Sequence, residues 1–227
     1  GLGVVNFDGD DSLYSTNWWG GGDEFSMFSV ARYTHDNPSY RVISDRQNFD
    51  FDFGFNNGHM QKWRLREWVT NIANGKDTLF HLHSANINSS DQANTFYHGT
   101  QVGTVNSNGA HDTDYTPRQI QFGGNGTSNG YSKCEVAEFI AFNRVLSTTE
   151  RQEIESYLAH KWGLSNTLPN GHTGKANPPG IGTGLSPEFT VASPTQAYPI
   201  PVSVTFKKGG TSTAVSGFTA SDLNVSG

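Results

Sequence analysis

Residues 48–55, with the sequence NFDFDFGF, place phenylalanine at positions 49, 51, 53 and 55 and aspartate at positions 50 and 52. Successive side chains of a β-strand point to opposite faces of a sheet, so this alternation predicts a strand with one apolar and one polar face. The apolar face needs a core to cover it. Strands that are buried on one face only are typical of antiparallel sheets, and the stretch therefore indicates an all-β fold.

The remainder of the first 145 residues continues this pattern, because short apolar segments alternate with turn sequences such as NNGH and NSNG. The further predicted strands are GVVNFDG, EFSMFSVARY, YRVISD, QKWRLREW, DTLFHLHSA, NTFYH, GTQVGTV, RQIQFGG and CEVAEFIAFN. Many short strands with little helix between them favour an antiparallel jelly-roll sandwich.

One helix is predicted over LSTTERQEIESYLAHKWGL, residues 146–164. Ser147 and Glu150 have the spacing of a capping box, and Gly163 stands where a left-handed cap ends a helix. An apolar stripe at every fourth position is formed by Ile154, Leu158 and Trp162. We expect this stripe to dock the helix onto the sandwich.

The composition changes after the helix. Residues 165–187 are rich in Gly, Pro and Asn and indicate a wrapping segment that passes into a linker. Strand-like segments follow, but about 40 residues are too few for an independent sandwich. We predict a jelly-roll domain over 1–180, a linker over 181–187 and a few strands of a second β domain over 188–227.

Charge and apolar content exclude several classes of protein. The formal net charge is −6 and no basic block is present, which argues against nucleic-acid binding. No stretch approaches 18 apolar residues, so we expect no membrane insertion. The single cysteine, Cys134, cannot form an intrachain disulfide, and its apolar surroundings predict an inert buried thiol.

Three segments carry a family resemblance: VVNFDGDDSLY, FDFGFNNG and EVAEFIAFNRVLSTTERQEIESYLAHKWGL. Residues 1–180 resemble the laminin-G-like branch of the concanavalin A-like lectin/glucanase superfamily. The tail, with PIPVSVTF and VSGFTASDLNV, is similar to bacterial Ig-like repeats of large adhesins. The resemblance implies a secreted or bacterial cell-surface protein, neighbouring Ig-like repeats in the same chain, and a glycan or another cell-surface ligand. The superfamily also contains glycoside hydrolases and polysaccharide lyases, so fold alone gives no function.

The polar parity of successive strands suggests a ligand face. Asp50 and Asp52 share this parity with Arg64, His81 and His83. If the strands are neighbours, one sheet presents acids, bases and imidazoles to solvent, and such groups bind sugar hydroxyls. The candidate aromatic partners are Trp18, Trp19, Tyr97 and His98. The same pattern also fits a solvated sheet face whose charges pair across strands, and a tryptophan pair with one indole in the core.

Metal sites have weaker signals. The segments FDGDDS and HDTDY cluster carboxylates, which calcium prefers, and Asp112 and Asp114 are the leading pair. The HLH segment puts His81 and His83 on one face, as some metal sites require, but the sequence identifies no third ligand.

Catalysis needs a constellation that the sequence only partly supplies. The DFD segment lacks the third acid of retaining glycosidases with this fold. A lyase would use Arg, His and Tyr, which Arg64, His81 and Tyr97 could provide, although no lyase signature surrounds them. We therefore expect a non-catalytic extracellular binding module, with a polysaccharide-degrading enzyme or a structural spacer as alternatives.

Overall fold

The structure is a computed structural model that describes residues 2–15, 24–35, 40–45, 51–56, 59–65, 67–68, 77–90, 92–106, 119–126, 130–176, 178, 186–191 and 202–207. The chain divides into two compact units, Gly1–Ala176 and Asn177–Gly227. The second unit contains an antiparallel pair of strands, Ser186–Val191 and Val202–Lys207. The predicted boundary at residue 180 and the Ig-like character of the tail stay predictions.

The first unit is built from short strands. In chain order they are β1 Val5–Asp8, β2 Leu13–Tyr14, β3 Phe25–Tyr33, β4 Arg41–Asp45, β5 Phe51–Asn56, β6 His59–Leu65, β7 Glu67–Trp68, β8 His81–Ile87, β9 Gln92–Tyr97, β10 Thr100–Asn106, β11 Ile120–Phe122 and β12 Lys133–Phe142. Each predicted segment overlaps at least one of these strands, and QKWRLREW overlaps both β6 and β7. Only β2, which has two residues, was not predicted, because so short a strand has no readable alternation.

The strands form two six-stranded sheets. The first sheet has the order β1-β12-β3-β8-β9-β10, and the second has the order β2-β11-β4-β5-β6-β7. Every pairing described within them is antiparallel. The predicted all-β class is therefore confirmed.

The inner core lies between the two sheets and contains the phenylalanine strand. Phe51 and Phe53 of β5 are 0% and 2% exposed, and Ile43 of β4 stands opposite Phe53 in register. Met27 and Ile87 reach the same cluster from the first sheet. Burying a side chain of this size contributes roughly 1.5–3 kcal/mol, so this face holds the layers together.

A second core lies on the outer face of the first sheet, under the helix. The helix α1 runs from Thr148 to Lys161 and begins with the predicted capping box of Ser147 and Glu150. Gly163 has φ 71°, as expected for a left-handed cap. The outer cluster is formed by Phe28, Val30, Leu82, Leu146, Leu158, Ala159 and Leu168, with Ile154 and Trp162 packed against it. The predicted docking of α1 through its apolar stripe is confirmed.

Cys134 lies on β12 in the inner core and is fully buried. Burial, assisted by the Asp11 and Glu135 carboxylates, raises the pKa of its thiol to about 12. The prediction that this thiol is buried is confirmed, and its raised pKa disfavours the reactive thiolate at neutral pH. Among the described residues, no helix is both long enough and apolar enough to cross a bilayer.

Candidate functional site

Asp52 is buried, although its side chain has the predicted parity. It alternates with Phe51 and Phe53 and stands opposite Arg64 of β6, so these two strands are neighbours, as the hypothesis of a common face required. Its exposure is only 1%, and Arg41 Nε lies 3.9 Å from its Oδ2 atom. The prediction that Asp52 faces solvent is therefore wrong. Alternation gives the face of a side chain, but it does not tell whether other parts of the chain cover that face.

His81 and His83 are also buried, with exposures of 7% and 1%. They belong to β8, in the first sheet, whereas Asp52 belongs to the second sheet, so no common solvent face exists. The ring of His83 packs against Phe53, while Leu82 packs under α1. The prediction that the histidines face solvent is wrong, because the helix covers the opposite face of β8 and the histidines lie on its inner face.

The structure describes no side-chain geometry for the other predicted site residues. Arg64 is placed in β6, but the structure describes only its backbone. The positions that lie outside the described residues are Trp18, Trp19, Asp50, Asp112 and Asp114. Their predicted roles in ligand or calcium binding stay predictions.

The structure instead brings together Asp77, His81, His83, Tyr97 and His98, which we call the histidine cluster. The His81 ring lies 5.4 Å from the Tyr97 ring and 5.3 Å from the His98 ring, centroid to centroid. The His83 ring lies 5.1 Å from the Tyr97 ring. The cluster forms because β8 and β9 pair with His83 opposite Tyr97.

His81 is the centre of the hydrogen bonds in this cluster. Its Nε2 atom lies 2.7 Å from Asp77 Oδ1, and because a carboxylate only accepts, Nε2 carries a hydrogen and donates it. Its Nδ1 atom lies 2.7 Å from the Tyr97 hydroxyl and 3.0 Å from His98 Nε2. Two groups therefore converge on one imidazole nitrogen.

The tautomer of His98 is fixed from the other side of its ring. The Thr167 hydroxyl donates to the Leu164 carbonyl oxygen at 2.7 Å, so at 2.6 Å it accepts the hydrogen of His98 Nδ1. A neutral His98 then presents a lone pair on Nε2 toward His81. Carboxylate, imidazoles and hydroxyl form one connected series across β8, β9 and the 3-10 helix Ser165–Thr167.

Burial determines the charge state of most of this cluster. Burial and the neighbouring His81 lower the pKa of His98 to about 4 and hold that of His83 well below its usual range. Burial and the Asp77 carboxylate raise the pKa of Tyr97 to about 12. Partial burial by itself would raise the pKa of Asp77, but hydrogen bonds from His81 and the Leu79 N–H lower it. At neutral pH His83, Tyr97 and His98 are neutral and Asp77 is charged.

Sequence reasoning found part of the histidine cluster. His81, His83 and Tyr97 were predicted as ligand residues and do come together, and His98 was predicted as an aromatic partner. Asp77 and Thr167 were missed. His98 has φ 47° in the turn before Gly99, and the turn sequence YHGT was the available signal for such a conformation.

A second polar group lies on the outer face of the first sheet, beyond the helix. It comprises Asn86, Asn94, Gln101 and Thr104 of β8, β9 and β10, which we call the amide cluster. Asn94 Nδ2 donates to Asn86 Oδ1 at 3.2 Å, and Asn94 Oδ1 accepts from Gln101 Nε2 and Thr104 Oγ1, each at 3.0 Å. Gln101 and Thr104 are exposed, and Asn86 and Asn94 are half-buried. This uncharged surface, whose side chains hydrogen-bond to one another, was not predicted.

The loop after β1 holds the carboxylates of Asp8, Asp10 and Asp11, each exposed. One oxygen of each lies within 4.8 Å of the others, so they could together offer ligands to a hard cation. A hydrogen bond with Asp10 lowers the pKa of Asp8, and the same bond raises that of Asp10. Exposed acidic groups that lie this close together are also common without a bound ion.

Solved structures with similar geometry identify the fold. A heptameric SAP-like pentraxin from Limulus polyphemus has a TM-score of 0.50 and 10% identity, and the match covers 67% of this chain and 81% of the pentraxin. A mutant of HCR/D has a TM-score of 0.50 and 12% identity over 90% of this chain and 65% of that one. The chain has a jelly-roll β-sandwich fold.

A weaker match is the receptor binding domain of botulinum neurotoxin type G, with a TM-score of 0.40 and 14% identity over 68% of this chain and 46% of that one. The jelly-roll chain thus spans less than two thirds of HCR/D and of the toxin domain. No family model and no curated protein matches it. At these identities the similarity establishes the fold and leaves function to the sites.

Proposed function

We propose that this jelly-roll domain is a non-catalytic extracellular module that binds a glycan through its amide cluster. The observation that carries the proposal is the partly exposed, hydrogen-bonded set formed by Asn86, Asn94, Gln101 and Thr104. Its position on a rigid sheet limits the conformational entropy that binding would cost. The laminin-G-like resemblance of the sequence agrees with such a role.

The chemistry of the amide cluster suits sugars without charge. Amide and hydroxyl groups both donate and accept hydrogen bonds, which matches the hydroxyl groups of a sugar ring. The hydrogen bonds described within the cluster involve no charged side chain. We therefore expect a neutral glycan to bind more tightly than a sulfated or uronic-acid polymer of the same length.

The test is a glycan-array screen of the full chain, followed by calorimetry with the strongest neutral glycan. Asn94→Ala removes the residue that bonds to all three other members of the cluster. Two or more hydrogen bonds at roughly 0.5–1.5 kcal/mol each correspond to about a tenfold loss of affinity. The matched control is Gln152→Ala, which truncates an amide on α1 outside the cluster and should leave the affinity unchanged.

Several outcomes would contradict the proposal. Normal affinity of Asn94→Ala and Gln101→Ala would move the site away from the amide cluster, and loss of binding in Trp18→Ala or Trp19→Ala would place it on the predicted loops. If no glycan on the array binds, the proposed glycan ligand is wrong. Release of reducing ends or unsaturated products would make the protein an enzyme.

The wider context is part of the same proposal. We infer a secreted or cell-surface adhesin-like protein in which Ig-like repeats follow this domain, as the resemblance of the tail suggests. Calcium binding is proposed for the sequence segment that contains Asp112 and Asp114. Repeating the array with calcium and then with a chelator tests it, since a calcium-dependent site would lose its hits in the chelator.

A polysaccharide-degrading enzyme is the second candidate, because Asp77, His81 and Tyr97 form a carboxylate–imidazole–phenol series. Such a series can move a proton to or from a substrate. However, His81 is 7% exposed and the pKa of Tyr97 is about 12, far from the neutral value that favours acid–base catalysis. Incubation with neutral and acidic polysaccharides, with Tyr97→Phe as the control, tests this candidate.

A further inference from the structure

Two polar atoms lie close to the Nδ1 atom of His81 in the histidine cluster. His81 Nδ1 lies 3.0 Å from His98 Nε2 and 2.7 Å from the Tyr97 hydroxyl oxygen. Both imidazoles are more than nine-tenths buried, with exposures of 7%. Nitrogen and oxygen atoms brought this close together need a hydrogen or a metal cation between them.

The outer nitrogen of each imidazole is already occupied. His81 Nε2 donates to Asp77 Oδ1 at 2.7 Å, and His98 Nδ1 donates to Thr167 Oγ1 at 2.6 Å. In the neutral rings lone pairs therefore remain on His81 Nδ1 and His98 Nε2, 3.0 Å apart. The Tyr97 hydroxyl has one hydrogen, which it can donate to His81 Nδ1 but not to both nitrogens. Two lone pairs this close repel, so the arrangement favours a cation that both can bind.

This is also the arrangement that holds metal ligands in place. A histidine that binds a metal almost always donates its other N–H to a carboxylate or another fixed acceptor, which sets the tautomer and the orientation of the ring. Asp77 accepts the N–H of His81 in this way. The Thr167 hydroxyl, which donates to the Leu164 carbonyl oxygen, accepts the N–H of His98.

We propose that His81 Nδ1, His98 Nε2 and the Tyr97 oxygen form a binding site for a transition-metal ion of the zinc class. Zinc accepts nitrogen and oxygen ligands at about 2.0–2.2 Å, and a tetrahedral ion would leave its fourth position to water. Calcium takes oxygen ligands and does not fit two imidazoles. The site is distinct from the amide cluster, which lies on the opposite face of β8.

The experiment uses the full chain without a histidine tag, freed of metal by a chelator and titrated with zinc chloride by calorimetry. We expect one zinc ion to bind per protein chain, with a Kd in the micromolar range or lower. His98→Asn and His81→Gln should each abolish it, and asparagine is chosen at position 98 because it tolerates the positive φ of 47°. Thr167→Val keeps the side-chain shape and should weaken zinc binding about 10–100-fold by releasing the His98 ring.

His160→Gln is the matched control, since His160 contacts the Gly174 carbonyl outside the cluster, and it should retain the zinc equivalent. Nitrogen NMR of the histidine rings in the unmutated protein decides the matter even if a variant fails to fold. Zinc should shift His81 Nδ1 and His98 Nε2 together, while calcium should shift neither. The proposal is overturned if no equivalent binds, if binding survives His98→Asn, or if those two resonances stay in place.

Discussion

The ring of His83 on β8 packs against the ring of Phe53 on β5, with centroids 4.4 Å apart, and this contact joins the two sheets. His83 is 1% exposed, and neither of its ring nitrogens has a hydrogen-bond partner among the described residues. A buried polar group without a partner costs roughly 1–3 kcal/mol. The fold thus keeps a polar ring where an apolar one would be more stable.

His83→Leu should therefore raise the free energy of unfolding by about 1 kcal/mol or more, because leucine fills a similar space without polar atoms. Urea melts followed by tryptophan fluorescence measure the change. The matched control is His81→Leu, which should lower stability, since Asp77 and Tyr97 lose their common partner. A loss of stability in His83→Leu would mean that the imidazole binds a water molecule or ligand in solution.

The strands and the helix were predictable because their signals are local. The alternation of Phe51 and Phe53 and the capping box of Ser147 each depend on residues no more than a few positions apart. The covering of β8 on both faces was not predictable, since it depends on where α1 packs. Alternation also treats a histidine as polar, and it cannot show that His83 turns inward toward Phe53.

The candidate sites show the same limit. His81 and His98 are 17 positions apart, and His98 and Thr167 are 69 positions apart, so only the folded chain brings them together. Residue type suggested the histidines and Tyr97 but gave no reason to single out Asp77 or Thr167. The amide cluster was missed because isolated Asn and Gln residues are common on strand surfaces and carry no motif.

A buried ion pair fastens the helix to the first sheet. Glu155 is fully buried, and both of its oxygens accept from Arg151 Nη1, at 2.7 and 2.6 Å. Ser84 Oγ donates to the same carboxylate at 2.6 Å, and His172 Nε2 lies 3.2 Å from it. The guanidinium also lies 3.8 Å from the centre of the Phe96 ring. The first sheet, the helix and the segment after the helix thus all contact the Glu155 carboxylate.

Arg151→Leu should destabilise the domain by about 3–5 kcal/mol, because it leaves the Glu155 carboxylate buried without its cation. The double variant Arg151→Leu with Glu155→Leu should recover most of that loss. Urea melts of the parent, the two single variants and the double variant give the coupling energy. Arg144→Leu is the control for an exposed ion pair and should change stability much less. A double variant as unstable as Arg151→Leu alone would contradict the role assigned to the charge.

The outer core should depend on apolar packing more than on the helix cap. Leu158 is fully buried between α1 and the first sheet, so Leu158→Ala should cost about 2–5 kcal/mol. Ser147→Ala removes one capping bond at an exposed helix end and should cost about 1 kcal/mol. Thermal and urea melts compare the two, and equal small losses would mean that the helix is not packed as described.

The stability of the domain should fall in mild acid because of His98. Its pKa is about 4 in the folded protein, against 6.5 for an unperturbed histidine. Between these two values the unfolded chain binds the proton more readily, so unfolding becomes easier as the pH decreases. A shift of this size corresponds to about 3 kcal/mol, present above pH 6.5 and lost on the way to pH 4.

Denaturant melts at intervals from pH 7 to pH 4, in a metal-chelating buffer, measure this loss. His98→Asn keeps the left-handed turn but cannot take up the proton, so its stability should depend less on pH than that of the parent. The groups that face His98 are His81, Asp77 and Tyr97, with Thr167 from the 3-10 helix. Asp77, whose pKa is lowered, loses its own contribution only toward more acidic pH. Parallel pH curves for parent and variant would show that His98 takes up its proton as readily in the folded chain as in the unfolded one.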